Sequence, residues 1–253
     1  MQGGFVSTTV EEGVATIEFY HPAHNSLPGY LLAELADSIR QMGSREDVQI
    51  VLLKSKGDRT YCAGASFDEL ISIENEEMGK AFFMGFAHVI NACRTCGKIV
   101  VGRVQGKAVG GGVGLASAVD YCMATKYASV KLSELAIGIG PFVVGPAVER
   151  KVGLAAFSQL SLNPEEWQTA QWAKDRGLFQ EVFDSTDQLD AYVNHFISKI
   201  KTYNPEALSA LKNILWKGTE DWDNLLEQRA AISGKLVLSP FTRSALKKIK
   251  SRN

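Results

Sequence analysis

The sequence predicts an α/β fold whose C-terminal part is a helical subdomain. Strand-like apolar runs alternate with helix-period segments through the first two thirds of the chain, and from about Pro164 the pattern turns mostly helical. The composition, 45% hydrophobic and 22% charged over 253 residues, is enough to bury a full core. The expected organisation is a core over residues 1–195 and a helical subdomain over 196–253.

The elements follow in order. Phe5 to Val10 and Val14 to Tyr20 read as two strands, joined by the acidic, glycine-ended break Glu11-Glu12-Gly13 of a hairpin. After a loop from His21 to Leu27, Pro28 opens a helix with Leu31, Leu32, Leu35 and Ile39 at helical spacing. Val48 to Leu53 reads as a buried strand, Lys54 to Gly64 as a polar loop, and Phe67 to Ile73 as a helix. The segment Glu76 to Cys93 carries Met78, Phe82, Phe83, Phe86, Val89 and Ile90 on one broad face, suited to the core or to the wall of an acyl pocket. Ile99 to Val104 and Tyr121 to Thr125 are strands around a glycine-rich turn and a short helix. Helices are expected over Glu165 to Arg176, Leu189 to Ile200, Pro205 to Trp216 and Asp221 to Leu236. The basic end, with Arg243, Lys247, Lys248, Lys250 and Arg252, reads as a solvated or frayed tail, with phosphate contact as the alternative.

Charge and composition exclude several classes. With 27 basic and 28 acidic residues the net charge is -1, so the chain lacks the positive field of a dedicated nucleic-acid binder. No stretch approaches the roughly 20 apolar residues of a membrane span. Met1 to Gly13 carries no basic region followed by an apolar segment, which makes a cytoplasmic location the expectation. Cys62, Cys93, Cys96 and Cys122 are too few for a disulfide scaffold, and Cys93-x-x-Cys96 has neither a second pair nor a nearby histidine, so no metal site is expected.

The stretch Gly106-Lys107-Ala108-Val109-Gly110-Gly111-Gly112-Val113-Gly114-Leu115 follows a strand and leads into a small-residue helix. Such glycines let the backbone approach a ligand, with amides at the positive end of the helix turned toward an anion. A dinucleotide site is the alternative, but Gly112-Val113-Gly114-Leu115-Ala116-Ser117 lacks the last glycine or alanine of that fingerprint. A tight packing turn with no ligand is a third reading. A second small-residue loop, Tyr61-Cys62-Ala63-Gly64-Ala65-Ser66-Phe67, also ends at a helix start. Two such turns can each donate a backbone N–H to one developing oxyanion, each worth about 3–4 kcal/mol in a transition state.

Together these stretches resemble the enoyl-CoA hydratase/isomerase, or crotonase, family. Asn25-Ser26-Leu27 before a helix is similar to the family's first coenzyme A loop, and LLKSKGDRTYCAGASFDEL from Leu52 to Leu70 to its first oxyanion segment. Gly106 to Thr125 is similar to the second oxyanion segment, Gly177-Leu178-Phe179 with Val182 to a later turn, and Asn204-Pro205-Glu206-Ala207-Leu208 to the start of a C-terminal helix. The resemblance implies a spiral of ββα units, an acyl-CoA thioester substrate with no separate cofactor, and a homotrimer or dimer of trimers. It also puts the oxyanion donors on the amides of Ala65 and Gly111, and coenzyme A contacts at Asn25 and Ala63; Lys107 is a neighbouring polar candidate that the motif match does not itself assign.

By the same resemblance Glu134, in Leu132-Ser133-Glu134-Leu135-Ala136-Ile137-Gly138, is the acid/base, while Gly114 stands where many members carry a first glutamate. A single carboxylate beside an oxyanion hole suits double-bond isomerisation of a 3-enoyl-CoA to a 2-enoyl-CoA. Yet GGGVGL combined with SELAIGI is similar to hydratases of methylglutaconyl-CoA and related branched enoyl-CoAs. Hydration of a 2-enoyl-CoA is therefore the leading expectation, isomerisation the alternative, and a non-catalytic CoA-thioester binder the rival from another class. Ser66 stands where an aspartate is frequent, and Asp68 and Glu69 are alternative acids at a helix start.

Overall fold

The computed structural model describes residues 3–251, so Arg252 of the basic end lies outside the described residues. The chain begins with the hairpin β1 (Phe5–Glu11) and β2 (Val14–Tyr20), followed by α1 (Gly29–Ser44). A repeating pattern then sets in: β3 (Ile50–Ser55), β4 (Thr60–Cys62), α2 (Phe67–Ile71) and α3 (Glu76–Thr95); β5 (Ile99–Val104), β6 (Lys107–Val109) and α4 (Gly111–Ala118); β7 (Tyr121–Thr125), β8 (Ser129–Lys131), a single 3-10 turn (Glu134–Ile137) and α5 (Gly145–Leu162). The rest is β9 (Gln168–Thr169), α6 (Ala170–Asp175), β10 (Glu181–Phe183), α7 (Thr186–Ile200), α8 (Pro205–Leu215), α9 (Trp222–Leu236) and α10 (Pro240–Lys250).

Each repeat sends its first strand to one sheet and its second to another. The large sheet has the order β1-β2-β3-β5-β7-β10 and is parallel apart from the β1/β2 hairpin. The small sheet has the order β4-β6-β8-β9, with β4, β6 and β8 parallel and β9 antiparallel at its edge. This is a spiral of ββα units with a helical C-terminal region, as the resemblance implies. Residues 195 and 196, either side of the expected boundary, both lie within α7.

Burial on both faces explains why β3 and β5 read as continuous apolar runs. Val51, Leu53 and Val100 point into the main core with Leu35, Ile39 and Ile90 of α1 and α3. Ile50, Leu52, Ile99 and Val101 face the other way, onto Leu189, Val193 and Ile197 of α7. A third cluster gathers Leu70, Ile73, Ile139, Val237 and Leu246, with Phe82, Phe83 and Ile137 packed against it.

Four expectations are corrected. The helix expected from Glu165 starts only at Ala170: Gln168 and Thr169 instead extend the small sheet beside β8, and the Thr169 hydroxyl caps α6 by accepting from the Trp172 amide. The stretch after Val148, given no element, belongs to α5, whose two helical parts meet at Gly153 (φ 76°, ψ 161°). The described part of the basic end is solvated but helical rather than frayed: Ser239 caps α10, with Pro240 in its first turn and Thr242 and Leu246 buried, while Arg243, Lys247, Lys248 and Lys250 are exposed. Met78 is exposed: the buried face of α3 runs from Gly79, through the partly buried Phe82 and Phe83, to Phe86 and beyond, and leaves Met78 outside it.

Candidate active site

The small sheet sets the geometry. Cys62 of β4 pairs with Ala108 of β6, and Ala108 pairs with Val130 of β8, so three parallel strands end side by side. Three or four residues beyond this row lie Ala65, Gly111 and Glu134. Ligand sites of α/β folds commonly form where loops leave the carboxyl ends of adjacent parallel strands.

The first turn is fastened to the loop before α1. Leu27 and Ala65 form a parallel bridge in which the Leu27 amide donates to the Gly64 carbonyl (2.8 Å) and the Ser66 amide to the Leu27 carbonyl (3.1 Å). Those bonds use the groups flanking Ala65 and turn its own amide to the other side. The Ser26 hydroxyl donates to the Ala65 carbonyl (2.7 Å). Asn25, buried and in the left-handed region (φ 55°), accepts from the His21 amide and donates to the Lys56 and Thr60 carbonyls, all at 2.9 Å. Its side chain is fully used in holding this loop. Ala63, half-buried, follows β4 directly.

The second turn is fixed by Gly110, whose φ of 52° and ψ of -114° exclude an ordinary L side chain. Its amide donates to the Lys131 carbonyl (2.8 Å), tying the turn to β8, and its carbonyl accepts from Val113 and Gly114 to start α4. Among the described residues neither the Ala65 nor the Gly111 N–H has an acceptor. The two turns touch: a methyl placed on Gly64 would sit 3.6 Å from the Gly111 nitrogen. A methyl on Gly112 would lie 2.3 Å from the Cys62 carbonyl oxygen, so only glycine lets α4 start this close to β4.

Glu134 opens the 3-10 turn after β8. A methyl on Gly110 would be 2.8 Å from its Oε1, which puts the carboxylate against the second turn. Oε2 is sealed from solvent and has no hydrogen-bond partner among the described residues. Burial pushes this carboxyl up to about 7, since the charged form is disfavoured away from water. Ala65, Gly111 and Glu134 are thus brought together, whereas Asn25 stands behind the first turn and Lys107 at the opposite end of β6, its ammonium over the Trp167 ring (5.1 Å).

Some features escaped the sequence. Phe86 covers Gly111, its ring 2.2 Å from where a Cβ there would be, and Val144 fills the space beside Gly114, with Cγ1 2.5 Å from a Cβ at that position. Helix periodicity marks Phe86 as core but cannot say which glycine it covers. Ser66 caps α2 by accepting from the Glu69 amide (3.3 Å), and the Glu69 carboxylate accepts from the Gly29 amide (2.8 Å) at the start of α1. These two residues latch α2 to α1. All four thiols are free and buried, and burial pushes Cys62 and Cys122 up to about 12 and raises Cys96 as well, which keeps them protonated.

A sequence model described as enoyl-CoA hydratase/isomerase matches residues 9–250. A peroxisomal Delta(3,5)-Delta(2,4)-dienoyl-CoA isomerase of Arabidopsis thaliana is 27% identical over 215 residues, covering 79% of this chain and 76% of that protein. A probable enoyl-CoA hydratase of Bacillus subtilis is 25% identical over 83% of this chain and 81% of its own. The mitochondrial methylglutaconyl-CoA hydratase of Rattus norvegicus is 26% identical over 74% of this chain and 59% of its own. The crystal structure of an enoyl-CoA hydratase from Bacillus halodurans superposes with a TM-score of 0.88, covering 96% of this chain and 99% of that one at 22% identity, which speaks to the fold. The family match spans nearly the whole chain, and on that ground this protein belongs to the enoyl-CoA hydratase/isomerase family and is an enzyme of that type.

Proposed function

We propose that the chain moves a proton on the acyl group of an enoyl-CoA thioester, with Glu134 as the only acid/base and the Ala65 and Gly111 amides holding the thioester oxygen. The observation that carries this reading is the lone carboxylate of Glu134 beside Gly110, with its Oε2 sealed and unpartnered among the described residues and Val144 closing the space at Gly114. In the reaction best matched to one carboxylate, Glu134 takes a proton from C2 of a 3-enoyl-CoA. The electrons move into a dienolate whose oxygen accepts from the two free amides, and the same carboxyl returns the proton to C4. The product is a 2-enoyl-CoA of identical composition. A pKa near the working pH lets one group give and take that proton with little driving force lost in either direction.

Hydration, the leading expectation from sequence, is the second reading. It is favoured by the hydratase names of the Bacillus subtilis and rat relatives, and by the free Oε2, which offers one acceptor to a water. It asks more of the site, since an apolar wall stands at Gly114, where a second polar group would help to orient that water. Asn25 enters the proposal as the clamp of the coenzyme A loop and Ala63 as a backbone contact within it. A homotrimer or dimer of trimers belongs to the same reading, supported by the apolar side chains of Leu154, Leu162 and Ile214 on the surface.

Incubation with a panel of 3-enoyl- and 2-enoyl-CoA thioesters, followed by mass spectrometry and ultraviolet absorbance, separates the reactions. Isomerisation gives a conjugated enoyl thioester at unchanged mass, and hydration adds the mass of one water and loses conjugation. Stabilisation by CoA thioesters with no turnover across the panel leaves the non-catalytic binder.

A further inference from the structure

A cavity lies at the far end of α4. Gly111 opens that helix and Asp120 follows its last residue by two, so roughly 12 Å of helix separates the cavity from the oxyanion turn. It has a volume of about 650 Å³ and lies between α5, the turn joining α8 to α9, and α9 itself. Four cationic side chains line it: Arg150, Lys151, Lys217 and Arg229. Among the described residues none of the four has an ion-pair partner.

The acidic lining does not balance them. Asp120 is spoken for: its carboxylate accepts from Lys212 Nζ, Trp216 Nε1 and the Val100 amide, all at 2.7 Å. Glu149, the other acid, is exposed. Helix capping explains part of the arrangement, since Lys151 donates to the Asp120 carbonyl (3.0 Å) and Arg150 to the Leu215 carbonyl at the end of α8. It leaves the remaining guanidinium donors of Arg150, lying over the Trp216 ring at 4.0 Å, without partners, and it does not involve Lys217 or Arg229. Burial pushes both Arg150 and Lys151 down, as expected where cations are crowded away from water. Trp222, Leu225 and Pro146 supply apolar wall, the usual companion of a few converging polar groups in a ligand site.

We infer that this cavity binds a small polyanion bearing a phosphate or diphosphate group, at a site separate from the acyl-CoA site. Two arginine forks and two lysine point charges suit the several oxygens of such a group better than a single carboxylate. The proposal does not depend on which reaction the Glu134 site performs.

Titration calorimetry of the full chain with pyrophosphate tests it, run with coenzyme A held at saturation so that the phosphates of the substrate cannot account for the heat. The expected result is one-site binding that persists under coenzyme A and weakens about tenfold or more in a Lys217→Ala/Arg229→Ala double variant. Lys217→Gln alone, at an exposed position, is expected to weaken it in the same direction and serves if the double variant does not fold. Absence of binding at millimolar pyrophosphate, loss of binding on adding coenzyme A, or unchanged affinity in the folded variants would overturn the inference. So would a change in oligomeric size caused by the substitutions, since the cavity would then be a contact between copies of this chain.

Discussion

A carboxyl group largely withdrawn from water holds its proton more tightly than in the unfolded chain, and Glu134, one of whose oxygens is sealed and unpartnered, is in that position. Its folded-state value of about 7 lies above the unfolded value of 4.5, so between these the native state binds a proton that the unfolded state has released. Stability contributed by this group is present at acid pH and is lost as pH rises through about 7. Glu134→Gln keeps the shape and removes the charge. At pH 8 the variant should therefore unfold at a higher temperature than the native protein, by at most about 3 kcal/mol in free energy, and the gap should close as pH falls below 4.5. Turnover should fall by about 10²- to 10⁴-fold, and the native activity should rise with pH through about 7 as the base form appears. A Gln variant with full turnover, or equal unfolding temperatures across that pH range, would remove Glu134 from the role proposed for it.

Among the elements, those with burial on a defined face were the legible ones. β5 and β7 fall where their apolar runs fall, and α1 and α7 follow the spacing of their buried leucines, isoleucines and valine. The small sheet was hidden because β4, β6 and β8 are three residues each and β9 is two, too short for a period-2 pattern to stand out. That sheet nevertheless lines up the three turns of the site. The glycine turn could be read as a place of close backbone approach, but not that Gly110 sits against a carboxylate arriving from another repeat. Gly110→Ala tests that contact. The substitution meets strain of about 1–3 kcal/mol at a positive φ and also drives a methyl to 2.8 Å from Glu134 Oε1. Gly57→Ala is the control, since Gly57 has φ 97° and nothing within 4 Å of the added methyl. Both variants should lose stability in denaturant titration, Gly110→Ala at least as much as Gly57→Ala, and only Gly110→Ala should lose activity, by tenfold or more. Equal activities in the two would detach the second turn from Glu134.

The whole molecule is a spiral closed by its C-terminal helices, and the site depends on that closure. α9 lies directly on α3, the helix that presents Phe86 to Gly111 and Phe82 and Phe83 to the cluster beside the 3-10 turn. The sequence announced both helices and gave no sign of their crossing, because the contact is made by two glycines 155 positions apart (234 minus 79) within otherwise ordinary helical segments. A Cβ on Gly79 would be 2.7 Å from the Gly234 Cα, and one on Gly234 would be 2.5 Å from the Lys80 amide nitrogen. Backbone meets backbone there, so a side chain has no rotamer to escape into and the helices must separate. Exposed pairs such as Lys80 with Glu227 (2.5 Å) are screened by water and salt and cannot offset that separation. Gly234→Ala would by helix propensity alone stabilise α9 by about 1 kcal/mol. The crossing predicts the opposite sign: destabilisation of about 1–3 kcal/mol in chemical denaturation, as for other overpacked interiors. Turnover should fall with it at temperatures where the protein is still folded, because α3 shifts with its phenylalanines. A Gly234→Ala protein at least as stable as the parent would mean that α9 does not clamp α3, and the closure of the site would need another cause.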